Sequence, residues 1–259
     1  MRQTVWITGA SSGLGAHLAL RMARDGHRLA VSARREEELR ALAERSSGEG
    51  AIHPVPLDVT DEAAAARAVA RIETEIGPID QAVLNAGTHR PVDPRDLKSQ
   101  DFRDLIALNL LGTVNGLAAV LPPMIARRRG RIAVVASVAG YRGLPTAAAY
   151  GMTKAGLINM AEALRVELAP LGIVVQLVSP GFVRTPLTER NPFPMPFLME
   201  PEDAAEAFYR GLQSDRFEIL FPRRFGYLMK LLRILPAPLA FAITRRLLPK
   251  DAPGERPAT

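Results

Sequence analysis

Short apolar runs recur along the chain, and each is followed by a stretch in which apolar residues return every three or four positions. The runs predict strands at 4–8, 28–33, 51–56, 81–84, 131–136, 172–178 and 218–221. The periodic stretches predict helices at 14–25, 36–45, 61–76, 150–171 and 201–213, and a longer one over 101–129 that Pro122-Pro123 would interrupt. Strand followed by helix, repeated, implies a parallel sheet with helices on both faces. The runs at 132–136 and 173–178 are nearly unbroken, as strands covered on both sides should be. No linker is long enough to divide the chain. The expectation is one doubly wound Rossmann-type α/β domain over 1–222 and a basic, apolar helical extension over 223–259.

Composition narrows the classes. A chain of 259 residues can bury a substantial core. Hydrophobic residues at 47% and charged residues at 23% are those of a globular protein. With no cysteine there is neither a disulfide framework nor a thiolate metal site, which fits a reducing compartment. His17, His27, His53 and His89 are scattered, so no metal is expected. The first strand starts by Gln3 or Thr4, so a secretory signal is not expected and the location would be cytoplasmic. The net charge of +6 is concentrated: seven basic residues and no acid lie between Ile219 and Lys250, and the remainder of the chain carries about −1. A generally basic, nucleic-acid-binding surface is therefore not expected.

The first strand leads into Thr8-Gly9-Ala10-Ser11-Ser12-Gly13-Leu14-Gly15 and then a helix. Strand, glycine-rich turn and helix is the context of a dinucleotide site. Gly9 permits the turn, Gly13 lets a pyrophosphate approach the backbone, and Gly15 lets helix and strand pack closely. The free N–H groups of the helix N-terminus favour phosphate. NAD and NADP are told apart at the end of the second strand, where an acid would bind the ribose 2′-hydroxyl and an arginine would accommodate a 2′-phosphate. The chain there reads Ser32-Ala33-Arg34-Arg35 with no acid before Glu36, so NADP(H) is expected over NAD(H), Ser32 adding a hydrogen bond.

Chemistry enters with Tyr150 and Lys154, four apart and so on one helix face, and with Ser137 thirteen residues before the tyrosine. A phenol with a pKa near ~10 is a poor acid or base at neutral pH. A neighbouring ammonium favours the phenolate, and a serine hydroxyl can polarise a carbonyl. Alone, such a pair is common on helices.

Together, Thr8-Gly-x-x-x-Gly-x-Gly, Asn85-Ala86-Gly87, Asn109, Ser137, Tyr150-x-x-x-Lys154 and Pro180-Gly181 stand in the order and spacing of the short-chain dehydrogenase/reductase family, which the chain resembles over about residues 3–222, particularly its NADP-dependent branch. Where that family often has Asn-Asn-Ala-Gly, this chain has Leu84 first. Where many NADP-dependent relatives carry a second basic residue before the middle glycine, it has Ser12. The resemblance implies strand order 3-2-1-4-5-6-7. It implies that Tyr150 is the proton donor in reduction and the base in oxidation. Lys154 would lower its pKa and hold the ribose, Ser137 would bind the substrate oxygen, and Asn109 would bend its helix and hold a relay water. It implies cofactor contacts from Gly9, Ser11, Ser12, Gly13, Leu14 and Gly15, and from Arg34 and Arg35. Asp58 would meet the adenine amine beside Val59, Asn85, Ala86 and Gly87 would border the cofactor, and Pro180, Gly181, Val183 and Thr185 would meet the nicotinamide end.

The expected activity is NADP(H)-dependent interconversion of a carbonyl and a secondary alcohol, by a homo-oligomer, dimer or tetramer. The resemblance places a substrate lid at about 186–199, and its Leu187, Phe193, Met195, Phe197, Leu198 and Met199 point either to an apolar or acyl-chain substrate or to packing of the lid on its own protein. A non-catalytic dinucleotide sensor would need a broken Ser-Tyr-Lys set, and this one is intact. The longest uncharged stretch of the tail is eleven residues, 234–244, against the ~20 that a spanning helix needs. The tail over 223–250 would lie on an anionic membrane at its inner face, as in a membrane-associated scaffold, or pack on a partner subunit, or be an ordinary packed extension. Residues 251–259 are expected to be disordered.

Overall fold

Alternation along each strand decides which helices cover it. On β1 (Thr4–Thr8), Trp6 faces one way, and Val5 and Ile7 face the other. The same parity holds on β4 (Gln81–Leu84), where Ala82 and Leu84 oppose Val83. On β5 (Gly130–Val135), Ile132 and Val134 oppose Ala133 and Val135. Both sets are buried, so each face of the sheet has its own core.

The structure is a computed structural model and describes residues 2–46, 48–189 and 195–248. With β2 (Arg28–Ser32), β3 (Ala51–Pro54), β6 (Ile173–Pro180) and β7 (Glu218–Phe221), the strands form one parallel sheet in the order β3-β2-β1-β4-β5-β6-β7, as expected. One face carries α1 (Gly13–Arg24), α2 (Glu36–Glu44) and α7 (Pro201–Leu212). The other carries α3 (Glu62–Glu75), α5 (Gly112–Ala126) and α6 (Ala148–Leu168). Asp61 caps α3 by accepting from the Ala64 N–H at 2.8 Å, which leaves Asp58 free of that duty.

The long helix departs from expectation. It does not break at Pro122-Pro123, which lie inside α5 close to its end, where Leu117, Val120 and Met124 hold the turn on the sheet. Its irregularity comes earlier. Between α4 (Ser99–Leu105) and α5, Ile106–Leu111 widens into a π turn centred on buried Asn109. The Asn109 amide accepts from the Thr88 N–H at 2.8 Å and donates to the Thr88 carbonyl at 2.9 Å, bonds that draw the turn outward. By length and hydropathy alone the run Ser99–Ala126 could span a bilayer. In the fold it lies on the sheet, where a Cβ on Gly116 would come 2.8 Å from the Leu84 side chain.

The C-terminal segment is not a loose appendage. In α8 (Arg223–Ile234), Phe225, Met229 and Leu232 join the core on the face of the sheet that α6 also covers, and Ala240 of α9 (Ala237–Thr244) joins them. Lys250 and residues 251–259 lie outside the described residues, as does Phe193 of the lid.

Candidate active site

The carboxyl ends of β1, β4, β5 and β6 open on one cleft of about 320 Å³. Its first end is backbone. Gly9 has φ +67°, and a Cβ there would stand 2.7 Å from the Ala86 Cα. A Cβ on Gly15 would stand 2.6 Å from the Gly9 carbonyl oxygen. The Asn85 amide locks this crossing by donating to the Thr8 and Gly9 carbonyls at 3.0 and 3.1 Å. The Thr8 hydroxyl accepts from the Asn85 and Ala86 N–H groups at 3.0 and 3.1 Å. Helix α1 therefore points its N-terminal N–H groups into the cleft beside Ser12, Gly13 and Leu14. A glycine cradle at a helix N-terminus fits a pyrophosphate.

Ser32, Arg34 and Arg35 stand at and just beyond the end of β2. Ser32 is fully buried and its hydroxyl accepts from the Trp6 indole at 3.0 Å, so the expected ribose contact is corrected to a core role. Arg35 is exposed and donates to the Ser11 and Ser12 hydroxyls at 2.9 and 3.1 Å. Its guanidinium stands over the loop position where a second basic residue was missing from the sequence. It also pairs with Glu38 at 2.7 Å. Arg34 is exposed beside it. The Asp58 carboxylate, whose burial opposes ionisation, is nonetheless held below its ordinary pKa by the Thr60 N–H and hydroxyl, with Arg34 assisting. The Val59 side chain is buried, and a Cβ on Gly112 would come 2.6 Å from it.

At the centre, Ser137, Tyr150 and Lys154 line the cleft together. Ser137 caps the 3-10 turn Val138–Gly140, accepting from the Ala139 N–H at 3.2 Å, and its hydroxyl lies 3.4 Å from the Pro180 carbonyl. Burial raises the Tyr150 phenol above its ordinary pKa, and the Ser137 hydroxyl beside it pulls the other way. Lys154 is buried, donates to the Val135 carbonyl at 2.9 Å, and lies 5.6 Å from the Tyr150 ring centre. Burial pushes its ammonium down to about 8. In this arrangement burial is the largest influence on both groups. Asn109 stands behind Lys154: a Cβ on Gly87 would be 3.2 Å from the Asn109 Oδ1 and 3.5 Å from the Lys154 Nζ. The Asn109 main-chain carbonyl accepts from the Thr113 hydroxyl at 2.9 Å.

The far end is apolar. Leu144, Phe182, Leu187, Phe225 and Met229 line it, with Pro180, Gly181, Val183 and Thr185 leading in from β6. The lid is pinned at its base, where Arg184 N–H donates to the Met199 carbonyl at 2.9 Å and Met199 N–H to the Phe182 carbonyl at 3.0 Å. One neighbour of Tyr150 escaped the sequence reading. The His89 ring meets the Tyr150 ring edge-on at 4.8 Å, and burial lowers its pKa, which keeps it neutral at pH 7. Its place just after Asn85-Ala86-Gly87, at the carboxyl end of β4, was the available signal.

A parallel sheet with this strand order and a glycine cradle at its carboxyl edge defines a Rossmann-like α/β protein. The family model for short chain dehydrogenases matches residues 3–193. An uncharacterized oxidoreductase of Myxococcus xanthus is 41% identical over 95% of this chain and 97% of its own length. A 3-oxoacyl-acyl-carrier-protein reductase of Thermotoga maritima is 37% identical over 72% of this chain and 76% of its own. A short-chain dehydrogenase from Sphingobium yanoikuyae, solved in complex with NADPH, superposes with a TM-score of 0.78 at 29% identity, covering 98% of this chain and 99% of that one. The chain belongs to the short-chain dehydrogenase/reductase family of oxidoreductases.

Proposed function

We propose that the protein is an NADP(H)-dependent oxidoreductase interconverting a carbonyl and a secondary alcohol on an apolar or acyl-chain substrate. The observation that carries this reading is one cleft in which Ser137, Tyr150 and Lys154 stand between a glycine cradle and an apolar wall. When bound, NADPH would supply the hydride. Reduction also needs a proton at the carbonyl oxygen, and Tyr150 is placed to give it, as it would take it back in oxidation. The Ser137 hydroxyl would donate a hydrogen bond to that oxygen, where negative charge develops. Lys154 would hold ribose hydroxyls and steady the phenolate left behind. Asn109 is a positioning residue that fixes Thr88 and, by donating to the Thr153 hydroxyl at 3.2 Å, the turn of α6 that bears Lys154.

Cofactor preference rests on Arg34 and Arg35 and on the absence of an acid before Glu36. Arg35 over the loop serines supplies positive charge at the edge of the phosphate cradle. The Sphingobium relative binds NADPH, which supports the same choice here. The apolar wall and the Thermotoga reductase support an acyl-type carbonyl. A homo-oligomer fits exposed Val114 and Ile125 on α5 and exposed Met152 and Val166 on α6. The test is a panel of ketones and 3-oxoacyl thioesters of rising chain length, followed by loss of NADPH absorbance. Turnover that rises with chain length supports the reading, and no NADPH consumption across the panel, with cofactor bound, would sink it.

A further inference from the structure

The two C-terminal helices carry two unlike faces. The inner face of α8, Phe225, Met229 and Leu232, follows the i, i+4, i+7 spacing of a buried stripe. On the outer face Tyr227, Leu228, Leu231 and Ile234 are all more than half exposed, Ile234 at 77%. Helix α9 buries only Ala240 and Thr244 and turns Leu239, Phe241 and Ile243 outward. Arg223, Arg224, Arg233, Arg245 and Arg246 are exposed around this apolar surface, and none forms an ion pair among the described residues. Lys230 differs, since it is held by Glu218. No acidic residue occurs between 219 and 250.

Exposed apolar side chains gathered on two consecutive helices mark a contact surface. Its charge selects the partner. A two-fold contact with a second copy would set the same five arginines against one another. An anionic bilayer offers phosphates that guanidinium groups bind in bidentate fashion and an apolar layer for the side chains between them. We propose that α8 and α9 form a docking surface for an anionic lipid bilayer, and that the cleft opens onto it. Phe225 and Met229 line the cleft from the inner side of the same helix. Leu247, which follows Arg245 and Arg246, is both a wall of the cleft and 49% exposed. Phe197 of the lid, also 49% exposed, stacks on Phe225 at 6.1 Å. An apolar substrate dissolved in the membrane would thus reach the cleft without crossing water. This second half rests on the cleft being the substrate site proposed above, and the docking itself does not.

The experiment is co-sedimentation of the full chain with vesicles of phosphatidylcholine alone or mixed equally with phosphatidylglycerol. At low salt, binding to the anionic vesicles should exceed binding to neutral ones by about tenfold or more, and should fall severalfold in high salt. Leu231→Asp and Phe241→Asp, and separately Arg245→Glu with Arg246→Glu, should each reduce it by about tenfold. NADPH affinity of all these variants should match the wild type, showing that the fold is intact. Because sedimentation requires no turnover, this proposal and the enzymatic one fail separately. Absence of sedimentation with anionic vesicles at low salt would overturn it. So would equal binding to neutral vesicles, or a dimer that Phe241→Asp dissociates in a protein that ignores vesicles.

Discussion

The two ends of the cleft are built by opposite means. The nucleotide end is main chain: Gly9 and Gly15 leave no room for side chains, Gly13 sits at positive φ between them, and Asn85 and Thr8 tie two strand ends together around them. The substrate end is side chain, gathered from Leu144, Phe182, Leu187, Phe225 and Met229 on separate elements. A backbone cradle recognises what all dinucleotides share, and it tolerates almost no substitution. A side-chain wall can be altered one residue at a time, and on the proposed reading that is where specificity for a particular carbonyl would reside. Between them the polar trio belongs to neither end.

Lys154→Ala should reach both ends at once, lowering kcat/KM by about a thousandfold and weakening NADPH about tenfold. Its pH behaviour sharpens this. Burial brings the ammonium down to about 8, so the group is charged below that and neutral above. Wild-type kcat/KM for reduction should fall above about pH 8, and Lys154→Arg should remove that limb in a pH profile. Gly9→Val tests the cradle: strain at positive φ and the clash with Ala86 should weaken NADPH about a hundredfold in a fluorescence titration. Unchanged affinity would show that the cradle is not where the nucleotide sits. Arg35→Ala should narrow the preference for NADPH over NADH by about tenfold, and Ala33→Asp with Arg34→Ala should reverse it. Equal wild-type affinities for the two cofactors would remove the basis of both. Met229→Ser should touch only the far end, lowering kcat/KM for long-chain substrates about tenfold while leaving the shortest ketones unchanged.

A stability difference accompanies these. Glu218 accepts from Tyr141, from the Ser179 hydroxyl at 2.9 Å and from Lys230, joining β7, β6, α8 and the turn after Ser137. Burial opposes its ionisation, yet these donors hold its pKa below the ordinary value. Its folded pKa is depressed, so its contribution is complete above the unfolded pKa and is lost as pH falls through the folded one. Glu218→Gln should cost about 2 kcal/mol at pH 7, read as a lower denaturation midpoint. The gap from wild type should narrow as the pH falls below the ordinary carboxylate range.

Much of the nucleotide end was legible because local sequence sets it. Gly9, Gly13 and Gly15 follow a strand directly, and doubly buried strands announce themselves as apolar runs, so β1 and β4 fall where the sequence places them. What was not legible depended on facing and distance. Ser32 shares the parity of Ala30, which turns its hydroxyl to Trp6 and away from a ribose. Pro122-Pro123 is the louder signal in its helix, yet the π turn arises from Asn109 reaching Thr88, which only the tertiary fold brings near. Arg35 over the loop serines, and His89 against Tyr150, likewise follow from neighbouring strand ends rather than from spacing.

The central claim is that Tyr150 carries the proton in a cleft whose nucleotide end works without it. Tyr150→Phe, assayed for turnover on a substrate from the panel and for NADPH binding on the same sample, tests it most directly. The account predicts turnover reduced by about a thousandfold or more, with NADPH affinity within about twofold of wild type. Turnover retained at the wild-type level would contradict it.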